Sequence, residues 1–200
     1  MDATIPFPTH AVRANALEYE GTWRLLPDAL ELQGGPAVAA DAILTFPYRD
    51  IVELRLSYAP SRIDHRRYRC DIRMRSGQRL AVLSTHYAGI ADFEDRSATY
   101  VPLVRGLIAR VAAENAAARF RSGKRPLVYW AEHLFLVAMV ALLVFVLSVT
   151  GVGYLSDSSW AKLAIVVGFI PLLILYTRKN WPRRFSPTAI PSDVLPDRSG

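Results

Sequence analysis

Cysteine is nearly absent from this sequence. Cys70 stands alone among 200 residues, so the chain can form no internal disulfide and no cysteine-based zinc or iron-sulfur site. Its expected role is a small buried side chain. Histidine is also sparse, and His10, His65 and His86 have no second ligand at metal spacing. No cofactor or metal site is expected. Gly34-Gly35 reads as a turn, and Gly151-x-Gly153 is not preceded by the strand that a dinucleotide fingerprint requires. No nucleophile, base and orienting group occur at a spacing that suggests catalysis, so no catalytic residue is expected and the chain reads as a non-enzyme. Residues 1–14 lack an apolar run and hold Asp2, Pro6 and Pro8, which argues against a cleavable signal peptide. A concentrated basic patch is missing too. Up to Leu127 there are 18 Arg or Lys against 14 Asp or Glu, and 6 against 4 thereafter, so the net charge of +6 is spread and no nucleic-acid partner is expected.

What the chain does have is a long apolar block from Leu127 to Tyr176, interrupted once around residues 151–159. Residues 128–152 carry only Glu132 and His133 as ionisable groups, and a helix of that length would reach on the order of 35 Å, enough for a hydrocarbon core of about 30 Å. Residues 160–177 carry only Lys162 and would reach on the order of 27 Å. The pattern predicts two transmembrane helices joined by an external loop at 153–159. Arg119, Arg121, Lys124 and Arg125 precede the first span, and Arg178, Lys179, Arg183 and Arg184 follow the second, whereas the loop has no Lys or Arg. Such juxtamembrane cations predict a multi-pass protein of the plasma (cell inner) membrane with both termini in the cytoplasm. Glu132 and His133 fall within about two turns of the cytoplasmic end, where side chains can reach the headgroup layer, so an interfacial role is favoured over a proton relay.

The preceding residues alternate. Residues 1–15 read as a flexible arm, and 16–122 as a cytoplasmic domain. Leu17, Tyr19, Gly21 and Trp23 suggest a first strand; Leu30 with Leu32, Ile43–Phe46, and Val52, Leu54, Leu56 and Tyr58 suggest three more. Tyr68, Cys70, Ile72 and Met74 alternate with Arg67, Arg69, Asp71, Arg73 and Arg75. A three-residue hairpin loop at Ser76-Gly77-Gln78 would place Met74 opposite Leu80, Ile72 opposite Val82 and Cys70 opposite Ser84, keeping one side apolar. After Tyr87 the period becomes helical: Ser97 or Thr99 can cap, Pro102 fits an early turn, and Tyr100, Val104, Leu107, Ile108, Val111 and Ala118 share a face. Gly123 and Pro126 mark a linker at 123–127, and the proline-containing stretch 178–200 reads as an extended cytoplasmic tail.

Six or seven short strands closed by one amphipathic helix is an element order that resembles small bacterial pleckstrin-homology-like domains, here over Leu17 to Phe120. The hairpin and tail are similar in layout to short bacterial inner-membrane proteins. The resemblance implies an α+β chain: a small antiparallel barrel or sandwich, then an α-helical transmembrane hairpin. It also implies a binding or scaffolding module without catalytic residues. Phosphoinositide binding is not implied, because the loop near Leu25-Leu26-Pro27-Asp28 has only Arg24 beside it. The candidate binding face is the arginine stripe Arg66, Arg67, Arg69, Arg73, Arg75 and Arg79, since planar guanidinium groups pair well with oxyanions; the plain alternative is a solvated sheet face partly neutralised by Asp64 and Asp71. The expected function is therefore a membrane-anchored interaction module, in contact with the lipid bilayer, that positions a protein partner or another copy of itself, or touches anionic headgroups. Two other readings are an accessory subunit packing through the hairpin, and an enzyme acting on a lipid or membrane-bound substrate.

Overall fold

Alternating burial is clearest in the first hairpin. Strand β2 (Gly21–Leu25) buries Gly21, Trp23 and Leu25, and strand β3 (Ala29–Gly34) buries Leu30 and Leu32 opposite them, with Trp23 facing Leu32 and Leu25 facing Leu30. The computed structural model describes residues 7–35, 42–60, 64, 66–149, 168 and 181–196. The turn closes with the Leu26 N–H on the Ala29 carbonyl at 2.8 Å. Strand β4 (Ile43–Pro47) adds beside β3, and strand β1 (Thr9–Val12) adds beside β2, giving a four-stranded antiparallel sheet. Two expectations change here. Leu17 and Tyr19 are exposed in the β1–β2 loop, so the second strand begins later than the alternation suggested. The segment expected as a flexible arm supplies β1, held by its ladder to β2 and by the buried His10.

A second sheet has the order β11 (Arg183–Arg184), β10 (Arg119–Ser122), β5, β6 and β7. Its central strands are β5 (Ile51–Tyr58) and β6 (Tyr68–Met74), followed by β7 (Arg79–Leu83). Ile51, Leu54, Leu56, Cys70, Ile72 and Val82 are fully buried, which fixes the inner face. In the β6–β7 hairpin Ile72 opposes Leu80 and Cys70 opposes Val82, one pair along from the expected register. The turn is centred one residue earlier, with the Met74 N–H on the Gln78 carbonyl at 2.9 Å, and the resulting slip of two keeps every side chain on its face.

Between β7 and the helix lies a small hairpin that the sequence did not reveal, β8 (Thr85–Gly89) paired with β9 (Asp92–Asp95). Helix α1 (Ser97–Glu114) then buries Tyr100, Val101, Leu103, Val104, Leu107, Ile108 and Val111. Neither Ser97 nor Thr99 caps it; the Asp95 carboxylate accepts the Ser97 N–H at 2.8 Å from outside the first turn. Gly106 permits a close approach of α1 to the first sheet, since a Cβ there would lie 2.6 Å from Leu25 Cδ1. Asn115 ends the helix and its Nδ2 donates to the Ile51 carbonyl at 2.9 Å.

Residues read as the cationic approach to the first span form β10 (Arg119–Ser122), parallel to β5, with Phe120 and Ser122 buried. The alternation Arg-Phe-Arg-Ser is a strand pattern once a neighbouring edge is available. The tail is likewise not simply extended: β11 (Arg183–Arg184) pairs with β10, Phe185 packs at 6.0 Å from Phe120, and Val194 and Leu195 join the core beside β5.

The expected barrel or sandwich followed by a transmembrane hairpin is corrected. Among the described residues there are separate four-, five- and two-stranded sheets with no closure into a barrel, and one strand pair is parallel. The parallel return of β10 beside β5 occupies the edge that closure would need. Two α-helices are present among the described residues, α1 and α2 (Pro126–Val149); the second arm of the expected hairpin, 160–177, lies outside the described residues except for Gly168. The chain divides into two units, Met1–Gly123 with Arg183–Gly200, and Lys124–Pro182.

Within the second unit α2 is long and apolar enough over Pro126–Val146 to cross a membrane. Leu134, Phe135, Leu142 and Phe145 are exposed on it. Near its start Lys124 Nζ meets the Glu132 carboxylate at 2.7 Å, and His133 Nδ1 lies 2.8 Å from the Tyr129 carbonyl, one turn earlier. Tyr129 is buried, with Trp181 at 5.6 Å between ring centroids.

Candidate binding face

The outer face of the five-stranded sheet gathers charge by register. Arg119 pairs with Glu53, Glu53 with Arg73, and Arg73 with Arg79, so these four lie in one cross-strand row. The next row of that face runs Arg184, Arg121, Arg55, Asp71 and Ala81, and the one beyond it holds Ser57, Arg69 and Leu83. With strands about 4.8 Å apart, the face carries seven arginines against two carboxylates over roughly 20 Å.

Glu53 is the hub of the ion pairs. Its Oε1 accepts from Arg55 Nη2 at 2.9 Å, and its Oε2 lies 3.8 Å from Arg121 Nε, a charge contact too long for a hydrogen bond. Arg55 is only 5% exposed, and its Nη1 also donates to the Gly123 carbonyl at 3.4 Å. That links the charged row to the point where the chain leaves β10. Asp71 is engaged by Arg69 at 2.7 Å. With both carboxylates committed, Arg73, Arg79 and Arg119 make no ion pair among the described residues and are exposed. Two like charges facing each other, as Arg73 and Arg79 do, disfavour the isolated face and favour an added anion.

The structure sorts the arginines that the sequence grouped. Arg69, Arg73 and Arg79 share the face. Arg67 lies just before β6, where burial lowers its pKa from the usual guanidinium value. Arg66 is exposed beside it, its N–H bonded to Asp64 Oδ1 at 3.0 Å. Arg75 has left the strand for the β6–β7 turn and donates to the Arg49 carbonyl at 3.4 Å. Of the juxtamembrane set, Arg119 and Arg121 belong to β10 and Arg183 and Arg184 to β11, so four residues read from spacing alone as membrane-flanking are sheet residues. Lys124 pairs with Glu132, Arg125 precedes α2 directly, and Arg178 and Lys179 lie outside the described residues.

Glu53, Arg55, Arg119 and Arg121 were not part of the expected stripe. The signal was present in the alternations Glu53-Leu54-Arg55-Leu56 and Arg119-Phe120-Arg121-Ser122, but only pairing of β10 with β5 brings the two together. The opposite, buried side offers little chemistry. Burial raises the Cys70 thiol pKa far above its usual value and raises that of Tyr100 as well. Among the described residues no group of three His, Cys, Asp or Glu side chains could hold a metal ion. Comparisons with protein families, with curated proteins and with solved structures find no match for this chain.

Proposed function

We propose that this chain is a membrane-anchored, non-enzymatic docking module that recruits an acidic partner protein to the arginine face of its five-stranded sheet. The observation that carries this reading is the row Arg119, Glu53, Arg73 and Arg79, in which the single carboxylate is already engaged by Arg55 and Arg121. Guanidinium groups held on a rigid sheet lose little further freedom on pairing with carboxylates, which favours Arg over mobile cations for this task.

In this proposal α2 crosses the inner membrane and the sheet lies on the cytoplasmic side, as the cations before α2 favour. Ser122 and Arg183 are register partners, so the chain that leaves the domain after Gly123 is back on the same sheet edge at Arg183. Both lie on one side of the bilayer.

The test is purification of the tagged protein at native level in mild detergent, with mass spectrometry of accompanying proteins, alongside an Arg73→Glu, Arg79→Glu, Arg119→Glu variant. A stoichiometric partner with an acidic segment should be present with the parent and lost with the variant, while thermal unfolding of the two stays close. Retention of the same partner by the variant overturns docking through this face.

A further inference from the structure

We infer that the open edge of β7 accepts an extended, acidic segment of the partner as an additional strand of the sheet. This rests on the docking reading above and specifies how the partner is held.

Hydrogen-bond parity identifies which groups are available. The Met74 N–H donates to the Gln78 carbonyl at 2.9 Å and the Ser84 N–H to the Tyr68 carbonyl at 3.0 Å. In an antiparallel ladder bonded pairs alternate with unbonded ones, so 72/80 and 70/82 are bonded pairs while 73/79, 71/81 and 69/83 are not. The N–H and C=O groups of Arg79, Ala81 and Leu83 therefore point away from β6. The Leu83 carbonyl is taken by His10 Nε2 at 2.7 Å, as this parity requires. Arg79 and Ala81 have no backbone partner on that side among the described residues, and β7 is the terminal strand of its sheet. Two donors and two acceptors span about 7 Å of edge, room for the core of a three- to five-residue strand.

The side chains along this edge select the occupant. Arg79 is exposed and Ala81 half-buried on the charged face, with Arg73 one strand further in; Leu80 is half-buried on the other face. An added strand would place alternate side chains about 5 Å from Arg79 and Ala81, where Asp or Glu is favoured, and the intervening side chains beside Leu80, where an apolar residue is favoured. Charge at a sheet edge usually deters pairing. Here it is of one sign, so a second copy of the same edge is repelled while an acidic strand is attracted. The recognised segment is therefore extended, with acidic and apolar residues alternating.

The test uses the full chain in uncharged detergent micelles and a fluorescein-labelled peptide, Val-Glu-Thr-Glu-Val-Glu-Thr, read by fluorescence anisotropy with empty micelles as the blank. Saturable binding should fall at least tenfold when alternate peptide amides are N-methylated, and at least tenfold when Lys replaces Glu in the peptide. Arg79→Glu should reverse the charge preference. Ala81→Pro, which removes an outward N–H and spares the ladder to β6, should weaken binding at least fivefold. Binding that is indifferent to N-methylation and to Ala81→Pro overturns strand addition and leaves the docking face standing. Absence of peptide binding while partner capture still depends on Arg73, Arg79 and Arg119 likewise removes only this inference. Partner capture that survives charge reversal removes the docking reading itself.

Discussion

His10 should make this fold lose stability as the pH falls below neutrality. It lies in β1 and is 1% exposed. Its Nε2–H donates to the Leu83 carbonyl at 2.7 Å, and its Nδ1 is 2.9 Å from Thr99 Oγ1 on α1, so one ring joins β1, the end of β7 and the start of the helix. The Tyr100 ring closes over it edge-on at 5.8 Å. Burial, helped by the charges of Arg96 and His86, lowers its pKa below the ordinary 6.5, against an opposing contribution from the Leu83 carbonyl. The unfolded chain therefore binds this proton at a higher pH than the folded one. Stability contributed by the neutral ring is fully present above about pH 6.5 and is lost as the pH falls toward the folded value, at up to about 1.4 kcal/mol per pH unit. Between about pH 7 and about pH 6 the loss from this residue is bounded at roughly 1 kcal/mol. Urea unfolding of the detergent-solubilised protein, followed by tryptophan fluorescence, measures the slope. Subtracting the slope of a His10→Gln variant removes the contributions of the other histidines, and an NMR titration of the His10 ring gives its pKa directly. A ring that titrates at or above 6.5, or a variant with the parent's pH slope, refutes the reasoning.

The tail and the lone cysteine give two further predictions. Leu195 is 3% exposed in the core, so Leu195→Ala should cost about 2–4 kcal/mol in unfolding free energy by urea titration, whereas a tail held loosely would show less than about 0.5. The Cys70 thiol is fully buried and its pKa is raised. Iodoacetamide at about pH 8 should leave the native protein unmodified by mass and label it once in denaturant, and stoichiometric labelling of the native protein would contradict that burial.

Much of the first hairpin was legible because its two strands are close in sequence and each buries alternate residues. The β6–β7 pair was legible in its faces but not in its register, since a two-residue slip leaves the same apolar side continuous. Residues 119–122 show where local pattern stops. Arg119-Phe120-Arg121-Ser122 reads as the continuation of a helix or as a membrane flank, and becomes a strand only because β5 offers a parallel edge after α1 has carried the chain back. The outer edge of β10 then receives Arg183 and Arg184, whose spacing from an apolar block had suggested a different role.

What the sequence determined by itself is local: a chain without disulfides, an apolar helical segment read at 128–152 and long enough for a bilayer, alternating strands before it, and one amphipathic helix whose buried residues follow helical spacing. Those features depend on the chemistry of neighbours along the chain. Only the tertiary structure decided that the sheets stay open, that the tail belongs to the core, and that Glu53, engaged by Arg55 and Arg121, shares one face with Arg119, Arg73 and Arg79. Strand pairing between residues more than sixty positions apart sets each of these, and a pattern with period two is satisfied equally by several partners. The choice among them comes from which pairing buries the most apolar surface at once.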